Sequence, residues 1–264
     1  MRERLKQGVE LLKTLRIGRV EKYLIENIEE KGAIHITLLD PDKDNLNLVN
    51  RAVEAEKAGT SAIMVGGSIG VSESILDDVI ISLKEKVEIP IILFPGNISG
   101  VSRHADAIWF MSLLNSATTY YLVDAQAQGS LIIKKYGIEA IPMGYIIVGE
   151  GEAAGFIGQA RIIPYTHPEL AAIYALAGEL LGMRFIYLEA GSGAKQPVPE
   201  SMVRTVRRTI STYLIVGGGI KTAEQAKRIV RSGANIIVTG TVVEEENVER
   251  RIGEIVRAVE EGVN

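Results

Sequence analysis

The residues best suited to chemistry lie where apolar runs stop. YLEAGSGA (187 to 194), VGGGI (216 to 220) and VTGT (238 to 241) each pass from a hydrophobic run into glycine, two of them beside a small hydroxyl. Glycine lets the backbone approach a ligand and adopt positive φ, and successive exposed amides at a loop or helix start cradle an anion. A phosphate is the guest that suits them. Only the first run also carries Tyr187 and Glu189, which share one face if that run is a strand. There Tyr187 could donate to a ligand oxygen, and Glu189, in a partly dry mouth, could accept a proton from an alcohol. The same two side chains could instead satisfy each other inside a packed layer. Any single glycine could serve only a tight turn, but two such loops in succession favour the phosphate cradle.

A second chemical position is Asp40, the last residue before Pro41 in LLDPDK. Magnesium usually keeps several waters and takes one or two carboxylates, so one Asp and one hydroxyl suffice when a diphosphate supplies the other oxygens. Ser68, at the end of VGGS, is the matching hydroxyl. Asp40 could equally cap the helix that follows, and Asp42, Lys43 and Asp44 read as a solvated turn. His35, His104 and His167 have no ligand spacing. No Lys ends a strand, which removes the usual Schiff-base position, and Ser192 has no recognisable base to make a nucleophile elbow. Trp109 and Phe110 could flank an apolar channel or belong to the core or an oligomer contact.

These residues need a scaffold, and the chain alternates strand-length apolar runs with amphipathic segments. Eight strands are expected, at 33–39, 61–65, 90–94, 105–111, 140–148, 184–189, 212–216 and 235–240. In 264 residues this predicts one (β/α)8 TIM barrel spanning residues 1–264, with the site at the carboxyl ends of its strands. A phosphate in such barrels commonly rests on the loops after strands seven and eight, where Gly218, Gly219, Gly240 and Thr241 fall. In PELAAIYALAGELL the spacing places Leu170, Ile173, Tyr174, Ala177, Leu180 and Leu181 on one face, expected to pack on the barrel. TAEQ predicts a capping box between Thr222 and Gln225, and Val248, Ile252, Ile255 and Val259 mark the last helix. GNISGVSRH is too short and glycine-rich for a helix, so the outer helix after strand three is expected to be missing or replaced. The first 30 residues, with Leu5, Val9 and Leu12 on a stripe, predict an extra helix or pair of helices that caps the barrel bottom or meets a second subunit.

The composition is 47% hydrophobic and 23% charged, with a formal charge of -4 and no cysteine. That supplies a core, excludes thiol chemistry, and provides no basic field for nucleic acid. Without a signal-like start or a long apolar run, the expected location is the cytoplasm.

Taken in order, HITLLDPDK, IMVGGS, LFPGNISGVSRHADAIWFMSLLNS, YLEAGSGA, VGGGI and VTGTVV together resemble the geranylgeranylglyceryl phosphate synthases, a family of modified barrels with one outer helix replaced. Bacterial relatives that use a longer prenyl donor have Lys two positions before the strand-one Asp, where this chain has Leu38, a departure that favours the archaeal-type enzyme. The resemblance implies a magnesium-dependent prenyltransferase that joins sn-glycerol 1-phosphate to geranylgeranyl diphosphate through an ether bond, with a product that partitions to the membrane. It implies that Asp40 and Ser68 bind Mg2+. It further implies that Tyr187, Leu188, Glu189, Ala190, Gly191, Ser192, Gly193, Gly218, Gly219, Gly240 and Thr241 hold the glycerol phosphate, with Glu189 and Tyr187 catalytic. A homo-oligomer, dimer or hexamer, is implied as well. The competing readings are a phosphosugar isomerase or lyase on the same phosphate site, and a non-catalytic barrel that binds an isoprenoid or scaffolds an oligomer.

Overall fold

A computed structural model describes residues 17–41, 47–66, 73–244 and 247–263. Eight parallel strands close in chain order, β1 (Ile34–Leu39), β2 (Ala62–Val65), β3 (Ile91–Leu93), β4 (Ala107–Leu113), β5 (Glu139–Ile147), β6 (Phe185–Glu189), β7 (Tyr213–Gly217) and β8 (Ile236–Thr239), and β8 pairs back with β1. This is the expected TIM barrel. The described helices are α1 (Arg19–Lys31), α2 (Leu48–Lys57), α3 (Glu73–Lys84), α4 (Ala125–Tyr136), α5 (Glu152–Ile157), α6 (Pro168–Leu180), α7 (Glu200–Thr209), α8 (Ala223–Arg231) and α9 (Val248–Val263).

Period-two alternation divides each strand between two cores. Ile36, Met64, Ile92, Trp109, Phe185 and Ile215 fill the interior. Ile63, Leu93, Ile146, Ile186, Leu214 and Ile237 meet the helices outside. Being buried on both faces is what makes these strands read as nearly continuous apolar runs.

The wall is uneven between β3 and β4. Only Ile92↔Ala107 and Leu93↔Ile108 pair there, whereas β4 and β5 stay in register from Ala107↔Glu139 to Leu113↔Tyr145. Residues 94–106 form no helix, as the glycine-rich linker predicts. The upper half of β4 therefore lacks a strand on one side, and a π-helical turn over Tyr120–Asp124 leads into α4 beside it.

The barrel bottom is closed by α1, which sends Val20, Leu24, Ile25 and Ile28 into the interior core. Glu139, at the start of β5, accepts the backbone amides of Val20 and Glu21 at 2.8 Å each, anchoring the helix N-terminus where its amides lack partners. Arg184, just before β6, grips the buried Glu21 carboxylate with two donors. The expected bottom cap is thus present for residues 19–31, while Leu5, Val9 and Leu12 lie outside the described residues.

Two helix expectations hold and one does not. Thr222 Oγ1 accepts the Gln225 amide at 3.3 Å while Gln225 Oε1 accepts the Thr222 amide at 3.1 Å, completing the capping box. Val248, Ile252, Ile255 and Val259 are buried along α9. On α6 the barrel-facing stripe is instead Ala171, Ala172, Ala175 and Gly178, and Leu170, Ile173, Ala177, Leu180 and Leu181 face outward with Tyr174 half-buried. Residue size decides the matter. A Cβ on Gly178 would lie 2.8 Å from Ile186 Cδ1 and 2.9 Å from Leu114 Cδ1, so the helix sits too close to the barrel for larger side chains. No helix among the described residues is long and apolar enough to cross a membrane.

Candidate active site

The carboxyl ends of the strands surround one cavity, and Asp40, Tyr187, Glu189, Ser192, Gly193, Gly218, Gly219, Gly240 and Thr241 all line it. The carboxylate after β1 and the glycine turns after β6, β7 and β8 thus share a hollow. Thr241 opens a 3-10 turn over Thr241–Glu244 directly after β8. Leu188 and Ala190 point into the outer core, leaving only their backbone for a ligand. Gly191 donates its amide to Glu189 Oε1 at 2.6 Å. Ser68 lies outside the described residues, as do Asp42, Lys43 and Asp44.

Tyr187 and Glu189 alternate inward as the strand period requires. Burial raises the Glu189 pKa above the ordinary carboxylate value, against the opposing pull of the Tyr187 hydroxyl and the Gly191 amide. The Tyr187 hydroxyl is buried without a hydrogen bond of regular geometry, yet it lies close enough to the carboxylate to favour its charged form. Burial and the Glu189 charge together push the Tyr187 and Tyr145 phenols well up, which keeps both neutral donors.

Two neighbours explain the glycines of β7. A Cβ on Gly217 would lie 2.1 Å from the Tyr187 hydroxyl, and one on Gly218 would lie 2.3 Å from Glu189 Oε1. Gly218 also holds φ at +79°, outside the range comfortable for other residues. The glycine run therefore makes room for the two reactive side chains as well as for a phosphate. Tyr165 braces the next loop by donating its hydroxyl to the Gln196 carbonyl at 3.1 Å.

Three aromatic rings stand together in the mouth. Phe94, Tyr145 and Tyr187 have centroids 5.3–5.8 Å apart, and all three line the cavity. Tyr145 is the β5 register partner of Tyr187, so the alternation that identified Tyr187 would have found it once strand pairing was known. Arg51 and Lys221 also line the cavity and carried no sequence signal beyond their charge. Beyond the rings the cavity becomes apolar and runs along the β3–β4 gap past Ile98, Val101, Phe110, Met111 and Tyr121. Trp109 is fully buried there, edge-on to Phe185 at 5.2 Å, with its indole N–H unpartnered.

The donor set for a metal is sparse. Asp40 is a half-buried carboxylate at the mouth, and no cluster of three or more His, Cys, Asp or Glu among the described residues could hold an ion by itself. His35 is instead held by Thr60 and Thr239, and His167 by Glu169.

Residues 25–259 match the PcrB family. The chain is 53% identical to the geranylgeranylglyceryl phosphate synthase of Thermofilum pendens over 93% of its own length and 96% of the relative's. It is 52% identical to that of Pyrococcus horikoshii over 94% and 98%. The solved (S)-3-O-geranylgeranylglyceryl phosphate synthase of Thermoplasma acidophilum, in complex with its substrate sn-glycerol-1-phosphate, superposes with a TM-score of 0.88 at 40% identity, covering 93% of this chain and 99% of that one. The resemblance drawn from the six motifs therefore holds, and the chain belongs to the PcrB family.

Proposed function

We propose that this protein is a prenyltransferase that forms the ether bond between sn-glycerol 1-phosphate and geranylgeranyl diphosphate. The observation that carries this reading is the shared cavity, which has a glycine-lined polar end, a carboxylate on each side of the mouth and an apolar arm long enough to reach α4. A phosphosugar enzyme needs the glycine turns but has no use for the arm.

In this reading the turns at Ser192, Gly193, Gly218, Gly219, Gly240 and Thr241 hold the glycerol phosphate by backbone and hydroxyl donors. Glu189 accepts the proton of the glycerol 3-hydroxyl as its oxygen bonds to carbon one of the allylic chain. The bond from that carbon to the diphosphate breaks, and pyrophosphate leaves. Burial suits Glu189 to this task, since a raised pKa makes it the stronger base. Phe94, Tyr145 and Tyr187 line the same cavity, and in this reading their rings stabilise the positive charge that develops on that carbon.

Asp40, with Ser68, is our candidate for holding Mg2+. A single half-buried carboxylate suits an ion that takes most of its oxygens from a diphosphate and water. When bound, the ion neutralises charge on the departing diphosphate.

We further infer a homo-oligomer, dimer or hexamer, which covers the outward apolar face of α6. The reaction would run in the cytoplasm and deliver its product to a membrane. The test combines the protein with magnesium, sn-glycerol 1-phosphate and geranylgeranyl diphosphate. Pyrophosphate release with a lipid product of the ether's mass is expected, and no release at any magnesium concentration overturns the reading.

A further inference from the structure

Gly129 sits in the middle of α4, where glycine weakens a helix relative to alanine. The fold gives no reason for it. Its φ is not in the left-handed region, and a Cβ built there would meet only Ile133 Cδ1, at 3.9 Å, outside the helix's own backbone. Gly158, which also lines the cavity, differs. There a Cβ would lie 2.4 Å from Leu113 Cδ2 and 2.8 Å from the Ala154 carbonyl, so packing itself demands the glycine.

Gly129 is nevertheless buried and lines the cavity between Ala125 and Ile133, four residues away on either side. The three form one stripe about 12 Å long along the helix axis. The empty space above Gly129 therefore belongs to the cavity.

The helix is also fixed in place. Gln126 Nε2 donates to the Met111 carbonyl at 2.5 Å and to the Tyr121 carbonyl at 3.3 Å, and Ser112 Oγ donates to the Leu122 carbonyl at 2.7 Å. The bonds to Met111 and from Ser112 tie the π-helical turn and the first turn of α4 to the upper half of β4, on the side where it lacks a strand. A larger side chain at 129 would therefore enter the cavity, and these bonds resist an outward shift of the helix start.

We propose that Gly129 determines prenyl-chain specificity, its missing side chain leaving the volume that seats the distal part of the tail. This rests on the proposed prenyltransferase reading. The test measures kcat/KM for geranylgeranyl and farnesyl diphosphate in wild type, Gly129→Ala and Gly129→Leu, with KM for sn-glycerol 1-phosphate and Tm alongside. In Gly129→Leu the geranylgeranyl-to-farnesyl ratio is expected to fall at least about tenfold, the effect of a methylene or more in an apolar pocket, with glycerol phosphate KM unchanged. Gly129→Ala should shift the ratio in the same direction by less, and raise Tm by about 2–4 °C because the helix gains a better former. An unchanged ratio in an active Gly129→Leu overturns the proposal alone, as does a lowered Tm in Gly129→Ala, which would make the glycine a requirement of the fold. Wild-type protein that turns over neither donor overturns the activity reading, and this proposal with it.

Discussion

The Gly191 amide donates to Glu189 Oε1 across 2.6 Å, fixing the carboxylate within its own loop while the Tyr187 hydroxyl stands beside it. A glutamine at 189 can keep that acceptor but cannot take a proton. Glu189→Gln should therefore lower kcat by about 10²–10⁴ while leaving affinity for sn-glycerol 1-phosphate near wild type, read by steady-state kinetics and calorimetric titration. Equal loss of both would make Glu189 a binding residue. In wild type, kcat/KM should fall with acid as Glu189 protonates, with a midpoint above the ordinary glutamate value. The same variant should be the more stable protein above about pH 4.5. The folded-state pKa is raised by burial, so the unfolded chain ionises first as pH rises and folding then carries the penalty of a buried charge.

His35 has the opposite linkage, in the wall between β1, β2 and β8. Its Nδ1 lies 3.0 Å from Thr60 Oγ1 and its Nε2 2.9 Å from Thr239 Oγ1, with Thr37 Oγ1 donating to Thr60 Oγ1 from the same strand. Burial lowers its pKa to about 3. Above the unfolded value of about 6.5 both states are neutral and stability is independent of this group. As pH falls from about 6.5 toward 3, the unfolded chain takes up the proton first and roughly 4–5 kcal/mol is lost. Urea midpoints measured across this window should decline more steeply for wild type than for His35→Gln, by about one proton per molecule. Parallel declines would show that the ring already protonates in the folded state.

The parts of the site legible in the sequence were those set by local pattern. Strand length, period-two alternation and glycine endings placed Tyr187, Glu189, Gly218, Gly219, Gly240 and Thr241 around one hollow, because each depends only on its own strand and the turn after it. Phe94 and Tyr145 were harder to find, since their role arises from which strands are neighbours. The gap between β3 and β4 was half visible: the missing helix could be read from GNISGVSRH, but the short β3 that leaves upper β4 without a partner on that side could not. On α6 hydropathy misled, because every face of PELAAIYALAGELL carries apolar residues and only the close approach of Gly178 to Ile186 and Leu114 selects the small ones.

Ile173, Leu180 and Leu181 are 58%, 78% and 74% exposed on and just beyond one helix, although each would contribute about 1.5–3 kcal/mol if fully buried. A contiguous apolar patch of this kind commonly marks a contact, and the inferred occupant is a second copy of the chain. Ile173→Glu and Leu180→Glu change side chains that touch little of the barrel, so each monomer should fold with a stability near wild type. A charge at the centre of a self-contact, however, faces its own copy or an apolar surface with no partner. Light scattering should therefore give a multimer for wild type and a smaller species for both variants. A monomeric wild type at micromolar concentration, or variants of unchanged mass, would assign the face to something other than self-association.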